Sequence, residues 1–427
     1  MQSESCSLIG ILDDGWAGLG DAARERLRRA DVVVGAARTL ALVSPYLPPA
    51  MLHDMDGALG KVPEWISAAQ QGGQRIAVLA TGDPLCHGIA TWLSGKLGRE
   101  AFEVLPAIST LQLACARFKL SWQDTVVASC HGPDAGEWFA GATPAHGLYT
   151  ALRAIALHHR VALFTSPANT PARLARALLT AGYGDEIRLS VASRLLLAEE
   201  ACVAGLTLNE VASREFAEPN VVIVERTETS VLPSFGLEDA EYVQRTPEKG
   251  LITKQEARAL SLAKLRLCAD AIVWDIGAGS GSVGLEAARL APLGHVWAIE
   301  KNPGDAENAR INALRLRAGN YTLVEAKAPA GLDSWPDPNA IFIGGSGGEL
   351  AELIRLGLQR LKPGGRLVMN FVTLENLATA TQTLQSLNAT WDVVQLQAAR
   401  SQPILDMHRM AAQNPVWIIT ASKEAHQ

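Results

Sequence analysis

Short apolar runs alternate with amphipathic segments along most of the chain. Leu8–Leu12, Asp31–Gly35, Arg75–Ala80 and Phe102–Leu105 are each four to six residues long and bordered by Gly, Pro, Asp or Ser. Runs that short, with such borders, predict buried strands rather than helices. Between them, Asp21–Arg29 has helical spacing and Gly88 leads into a second helix. A third begins after Pro106–Thr110, where Ser109 or Thr110 can serve as N-cap. The alternation predicts a mostly parallel sheet with crossover helices. A strand over Val221–Glu225 closes the first half.

The polar stretch that follows predicts a linker over 229–237, between domains at 1–228 and 238–427. Thr253 and Glu256 have capping-box spacing, which reads as a helix start and, taken alone, as a cap and nothing more. Ala271–Ser282 then runs from apolar residues through Asp275 into glycines at 277, 279 and 281. Val283, Ala287, Leu290 and Ala291 continue it at helical spacing. This is a strand, a tight loop and a helix start, with bare backbone offered to a ligand. The spacing Gly-x-Gly-x-Gly is weak on its own. It gains weight from His295–Glu300, a second apolar run that ends in a carboxylate 19 residues past Gly281. An acid there can accept both hydroxyls of a ribose, so the unit is expected to bind an adenosine-type cofactor. Ala340–Ile343 ends in a second glycine cluster, Gly344–Gly348. Leu361–Gly365 stops a helix, Arg366–Asn370 is a further strand, and Trp391–Leu396 with Val416–Thr420 predicts a final antiparallel pair.

Composition narrows the class. The chain has 427 residues, 48% hydrophobic and 19% charged, with a net charge of −6. That is room for two or three globular domains, without the basic face expected of a nucleic-acid binder. No run approaches the roughly 20 apolar residues needed to span a bilayer, and Met1–Cys6 has no secretory-signal pattern. Cysteines 6, 86, 115, 130, 202 and 268 lie too far apart for paired metal or redox spacing, which fits reduced thiols in the cytoplasm and no metal site.

Ile9–Gly15, Leu79–Ile89 and Leu105–Thr110, with Ser121–Asp124, Ser129–Gly132, Leu163–Pro171 and Pro219–Ile223, resemble the tetrapyrrole methylase family, precorrin branch. The likeness spans residues 5 to 228. It implies two α/β lobes with S-adenosylmethionine in the cleft, near Gly10, Gly82, Asp83, Pro84, Ser109 and Thr110. Leu12 stands where that family usually has a second glycine, and Ser193–Glu200 keeps its later motif only in part. The second half resembles Rossmann-like class I methyltransferases that use S-adenosylmethionine, and more closely the decarboxylating precorrin methyltransferases. Ile252–Arg258, Asp275–Gly281, Ala298–Pro303, Ile343–Leu350, Ala399–Ser401 and Asn414–Pro415 carry that likeness. It implies a second donor site from Thr253, Asp275, Gly277, Ala278, Gly279, Ser280, Gly281, Glu300, Ala328 and Gly344. Lys327 replaces an acid common in that family, so backbone at Ala328 takes its place. Substrate-binding candidates are Lys254, Arg258, Ser346, Gly347 and Arg400. For the three cations a solvated surface role is the competing reading.

The fold expected is therefore α/β, a two-lobed tetrapyrrole methylase domain followed by a Rossmann-like methyltransferase domain. The combination resembles the bifunctional precorrin methyltransferases of aerobic cobalamin synthesis. That implies methylation of precorrin-6B at carbons 5 and 15, with decarboxylation of the ring C acetate to give precorrin-8. The resemblance also implies a small-molecule tetrapyrrole partner, no nucleic acid or membrane, and a homo-oligomer through the C-terminal domain. His131 and His408 are candidate acid–base groups, with a structural role as the alternative, and no catalytic residue is assigned. The competing functions are methylation of RNA or another small molecule beside a non-catalytic N-terminal lobe, and a dehydrogenase, which the glycine spacing disfavours.

Overall fold

The computed structural model describes residues 6–86, 88–227, 233–245 and 252–423. The chain divides into two compact units: Met1–Gly132 with His158–Ala175 and Ile187–Thr227, and Pro133–Leu157 with Arg176–Glu186 and Glu228–Gln427. Two segments of the chain's first half thus group with the second unit.

The first unit holds two five-stranded sheets. One is built from β1 (Cys6–Ile11), β2 (Val32–Gly35), β3 (Leu52–Asp54), β4 (Ile76–Thr81) and β5 (Glu103–Leu105), in the order β3-β2-β4-β1-β5 and parallel throughout. β1 is buried along its whole length, which is why it reads as a continuous apolar run. The other contains β6 (Val126–Ser129), β7 (Arg160–Phe164), β8 (Ile187–Ser193), β9 (Ala201–Leu206) and β10 (Asn220–Arg226), ordered β6-β7-β10-β8-β9. Only β6 and β7 pair in parallel there; the other three pairings are antiparallel. The expectation of a mostly parallel arrangement is corrected for this sheet, because β8, β9 and β10 are joined without a long crossover helix.

The second unit holds a seven-stranded sheet of β11 (Ile272–Ile276), β12 (His295–Glu300), β13 (Tyr321–Glu325), β14 (Ala340–Ile343), β15 (Arg366–Phe371), β16 (Thr390–Leu396) and the last strand of the chain, Val416–Ser422. β17 (Ala399–Ile404) and β18 (Met407–Ala412) form a separate hairpin before β19 (Val416–Ser422). The order is β13-β12-β11-β14-β15-β19-β16, parallel up to β15 and antiparallel beyond. Alternate residues of each inner strand enter opposite cores. Val273, Ala298, Phe342 and Val368 pack on one face, and Trp274, Ile299, Ile341 and Leu367 on the other. The predicted final antiparallel pair is β16 with β19. The hairpin was not foreseen, since its exposed Leu405, Met407 and Met410 break the alternation a half-buried strand would show. Of the predicted linker, 229–232 lie outside the described residues. Leu237 is fully buried in the core of the second unit.

Candidate functional site

In the first unit, parallel register brings strand ends together. Ile11 of β1 lies opposite Thr81 of β4, and Ile9 opposite Leu105 of β5. A side chain at Gly10 would come within 2.4 Å of the Gly82 carbonyl and 2.7 Å of the Ala107 amide, so two loops close on one glycine of β1. Gly82 has φ of +68°, a conformation suited to glycine. Asp83 caps the turn by accepting from the Leu85 N–H at 2.8 Å. Ser109, and not Thr110, is the N-cap of the helix Thr110–Phe118, and shares a capping box with Gln112.

Gly82, Asp83, Ser109 and Thr110 line a cavity of about 500 Å³, in the range of small-molecule sites. Gly10 and Pro84 are not among the residues that line it. The opposite wall comes from the second sheet. Ser129 and Val221 both register with Phe164, which places Ser129, His131, Thr165 and Asn220 along one side. Asp13 and Arg38, ion-paired with Nε to Oδ1 at 3.2 Å, also line the cavity. Asp13, Thr165 and Asn220 lie in the family-like stretches of the sequence but were not singled out as site residues, and Arg38, on the helix Ala37–Val43, was not read from the sequence at all.

In the second unit, Ile276 registers with Ile299 and with Ile343. The ends of three neighbouring strands therefore set Gly277, Glu300 and Gly344 side by side. Gly277, Gly279 and Gly281 all have positive φ. A side chain at Gly277 would lie 2.4 Å from the Gly345 carbonyl, so the two glycine loops are in contact. Nothing lies within 4 Å of a side chain built at Gly279. Close backbone packing beneath and open space above is the form of a ligand cradle. Glu300 lies at its edge, accepting from the Gly279 N–H at 2.9 Å and the Asn302 N–H at 2.8 Å. Ala278 is half-buried at the loop tip, Ser280 and Gly281 are buried, and Ala328 is just buried.

Asp275 does not reach the cradle surface. It is 1% exposed, and its carboxylate accepts from the Gly284 N–H at 3.0 Å, fixing the start of the helix Ser282–Leu290. Burial pushes its carboxyl up to about 7; the Gly284 bond opposes the rise and the Glu300 charge adds to it. Expected as a cofactor contact, it is a strut under the loop. The buried Tyr321 hydroxyl, whose ring lies against Gly284, is held far above the usual phenol range by burial and by the Asp275 and Glu300 charges.

Of the substrate candidates, Arg258 is corrected by its burial, and the part-exposed Arg400 is engaged in ion pairs. Arg258 is completely buried: Nε donates to Glu286 at 2.6 Å, Nη1 to Asp239 and the Thr253 carbonyl, and Nη2 to the Leu237 carbonyl. Arg400 grips Glu256 through two 2.7 Å bonds and Asp239 through a third. The capping box fails for the same reason. The helix Gln255–Leu265 starts with Lys254 at its N-cap, without a side-chain cap, while Glu256 is held by Arg400. Lys254 is half-exposed, 4.0 Å from Asp239. Ser346 and Gly347 lie on the second glycine loop, where Lys301 and Lys327 approach Gly347. Neither lysine was read from the sequence as a substrate contact. His408 lies exposed on the hairpin strand β18, and nothing places it at the cradle.

A seven-stranded sheet with a glycine cradle and an acid ending its second strand, in one chain with a two-sheet unit around a cavity of small-molecule size, is the arrangement of a methyltransferase that uses S-adenosylmethionine, the class to which both matching family models belong. The model for tetrapyrrole (corrin/porphyrin) methylases matches residues 6–212, and that for the precorrin methyltransferase domain matches 246–423. The chain is 32% identical over 415 residues to a precorrin-6Y C(5,15)-methyltransferase [decarboxylating] of a Sinorhizobium species, covering 93% of this chain and 91% of that protein. The protein of the same name from Mycobacterium tuberculosis is 31% identical over 393 residues, 87% of this chain and 88% of its own. A cobalt-precorrin-6B C(15)-methyltransferase (decarboxylating) of Salmonella typhimurium is 41% identical over 174 residues, 40% of this chain and 90% of that one. This chain belongs to the family of decarboxylating precorrin-6Y C(5,15)-methyltransferases.

Proposed function

We propose that the chain methylates precorrin-6B at carbons 5 and 15 and removes carbon dioxide from the ring C acetate, giving precorrin-8 in cobalamin biosynthesis. Each half holds its own S-adenosylmethionine. Residues 1–228 methylate carbon 5, and residues 238–427 methylate carbon 15 and decarboxylate. The observation that carries this reading is two glycine-built sites of different architecture in one chain, each under its own family model. The Salmonella relative, named for carbon 15 methylation and decarboxylation alone, supports giving that pair of steps to one half.

The donor supplies an electrophilic methyl group on a sulfonium, so the residues mainly align two bound molecules. Alignment can be worth about 7–11 kcal/mol. Gly279 leaves room for the donor against bare backbone, and Glu300 orients its ribose. In the first half, Gly82, Ser109 and Thr110 form the wall against which the donor lies. The conjugated macrocycle is itself the electron sink for loss of carbon dioxide. With Arg258 buried on internal carboxylates, and Arg400 and Lys327 ion-paired with Glu256 and Glu349, Lys301 and the half-exposed Lys254 are cations that can meet the substrate's own carboxylates. The enzyme acts in the cytoplasm, as a homo-oligomer formed through the C-terminal domain.

The test is mass spectrometry of the product made by the full chain: two added methyl groups and one lost carbon dioxide. A single methyl without decarboxylation would refute the reading in favour of a non-catalytic half. Gly279→Arg should abolish carbon 15 methylation and decarboxylation and spare carbon 5. If it leaves both activities intact, the glycine loop is not a donor site.

A further inference from the structure

The first unit's cavity contains an acid–base group, His131, beside the wall of Gly82, Ser109 and Thr110. His131 follows β6 and lines the cavity. Its loop is tied down from below by Asn169, 1% exposed, whose amide donates to the Cys130 carbonyl at 2.9 Å and to the Gly132 carbonyl at 3.3 Å. The Ser166 hydroxyl donates to the Cys130 carbonyl as well, and the Cys130 N–H donates to the Phe164 carbonyl at 2.8 Å. The backbone on both sides of His131 is therefore fixed. The ring is fixed too: Nδ1 lies 2.9 Å from the Ser129 hydroxyl, which also accepts from the His131 backbone N–H at 3.1 Å. In the tautomer that donates Nδ1–H to this hydroxyl, Nε2 keeps its lone pair as an acceptor.

Among the described residues, the other titratable or charged groups lining this cavity are Asp13, Arg38, Asp83 and Cys86. Asp13 and Arg38 neutralise one another. Asp83 holds its own turn through the Leu85 N–H. The Cys86 thiol is pushed up by burial and by Asp83, which keeps it protonated. Among the described residues lining this cavity, His131 is the imidazole, with Nδ1 on Ser129; His87 lies outside the described residues.

Replacing a methine hydrogen of a tetrapyrrole by methyl must release one proton. The π electrons of the bridging carbon form the new C–C bond, and the C–S bond of the sulfonium donor breaks with its electron pair left on sulfur. The proton on that carbon must then depart to restore conjugation. We propose that His131 Nε2 accepts this proton as the general base of carbon methylation in the first half, and that Ser129 is the positioning residue that sets its tautomer and orientation. This rests on the assignment of carbon 5 methylation to the first half.

The test uses the full chain at saturating S-adenosylmethionine, with single-turnover formation of each methyl group followed by isotope label and NMR position. Carbon 15 methylation and carbon dioxide release serve as internal controls. His131→Asn keeps a partner for Ser129 but removes the base. It should slow carbon 5 methylation by about 10²–10⁴-fold and abolish the acid limb of its pH profile, with the carbon 15 rate within twofold of wild type. Ser129→Ala should slow carbon 5 methylation by less and move that limb, and Ser129→Thr should restore it. A carbon 5 rate within threefold of wild type in His131→Asn overturns the inference. So does an equal fall in both methylations, or a selective fall with the acid limb unchanged. If wild type places no methyl on carbon 5, the assignment of function fails instead, whatever His131 does.

Discussion

Replacing Arg258 by Met separates two roles that the sequence left open, a cation for substrate carboxylates and an internal strut. The guanidinium is wholly buried, stacked 5.0 Å over the Tyr242 ring, and bonded to Glu286, Asp239 and two carbonyls. Its main partner Glu286 is equally buried and would keep only the Tyr242 hydroxyl at 3.0 Å and the Gly236 N–H at 2.6 Å. Removing one partner of a buried pair strands the other charge, at a cost of about 3–5 kcal/mol. For a unit of this size that lowers the melting temperature by about 6–20 °C. Arg258→Met should therefore show this loss in urea and thermal unfolding, while KM for the tetrapyrrole holds at temperatures where the variant stays folded. The double variant Arg258→Met/Glu286→Met removes the stranded charge and should be more stable than Arg258→Met alone. A loss below about 1 kcal/mol, joined to a KM raised tenfold, would refute the strut and return Arg258 to the substrate.

Two glycines in one loop should respond differently to alanine. Gly277→Ala forces a side chain to 2.4 Å from the Gly345 carbonyl and should destabilise the second unit, read by unfolding. Gly279→Ala meets open space and bears only the left-handed strain of about 1 kcal/mol, so it should fold normally but weaken S-adenosylmethionine binding by calorimetry. Asp275 binds its proton more tightly folded than unfolded, so its contribution to stability is full below about pH 4 and is lost as pH rises through about 7. Wild type minus Asp275→Asn should thus lose about 2 kcal/mol between pH 5.5 and 8 in urea titrations, and a flat difference would mean that the carboxyl is not desolvated. Ser109→Ala removes the side-chain half of a capping box, leaving the residue's backbone N–H on Gln112, and should destabilise the first unit by about 0.5–2 kcal/mol, detected by its unfolding midpoint.

The parts legible in the sequence are those whose cause is local. β12 and β14 span the residues expected of them because a buried parallel strand is an apolar run with turn residues at its ends. The glycines of the cradle are legible because each requires a backbone that other residues avoid. What could not be read is where charged side chains find partners. Arg258 meets a carboxylate 28 residues away, and Arg400 one 144 residues away. Nothing in the composition around an arginine says whether a folded chain will bury it. The same gap explains the failed capping box, since Glu256 has the right spacing to turn back on its own helix and is drawn off by Arg400. His131 is the converse case. Its sequence context leaves it between a base and a structural histidine. Once Nδ1 is seen on Ser129, with Asn169 holding the carbonyls on either side, the two readings are no longer rivals, because a base must be held as firmly as a structural residue while keeping one nitrogen free. A side chain with every polar atom committed is a strut, and one fixed on one side and open to a cavity on the other is placed to act. That criterion removes Arg258 from the candidate chemistry and retains His131.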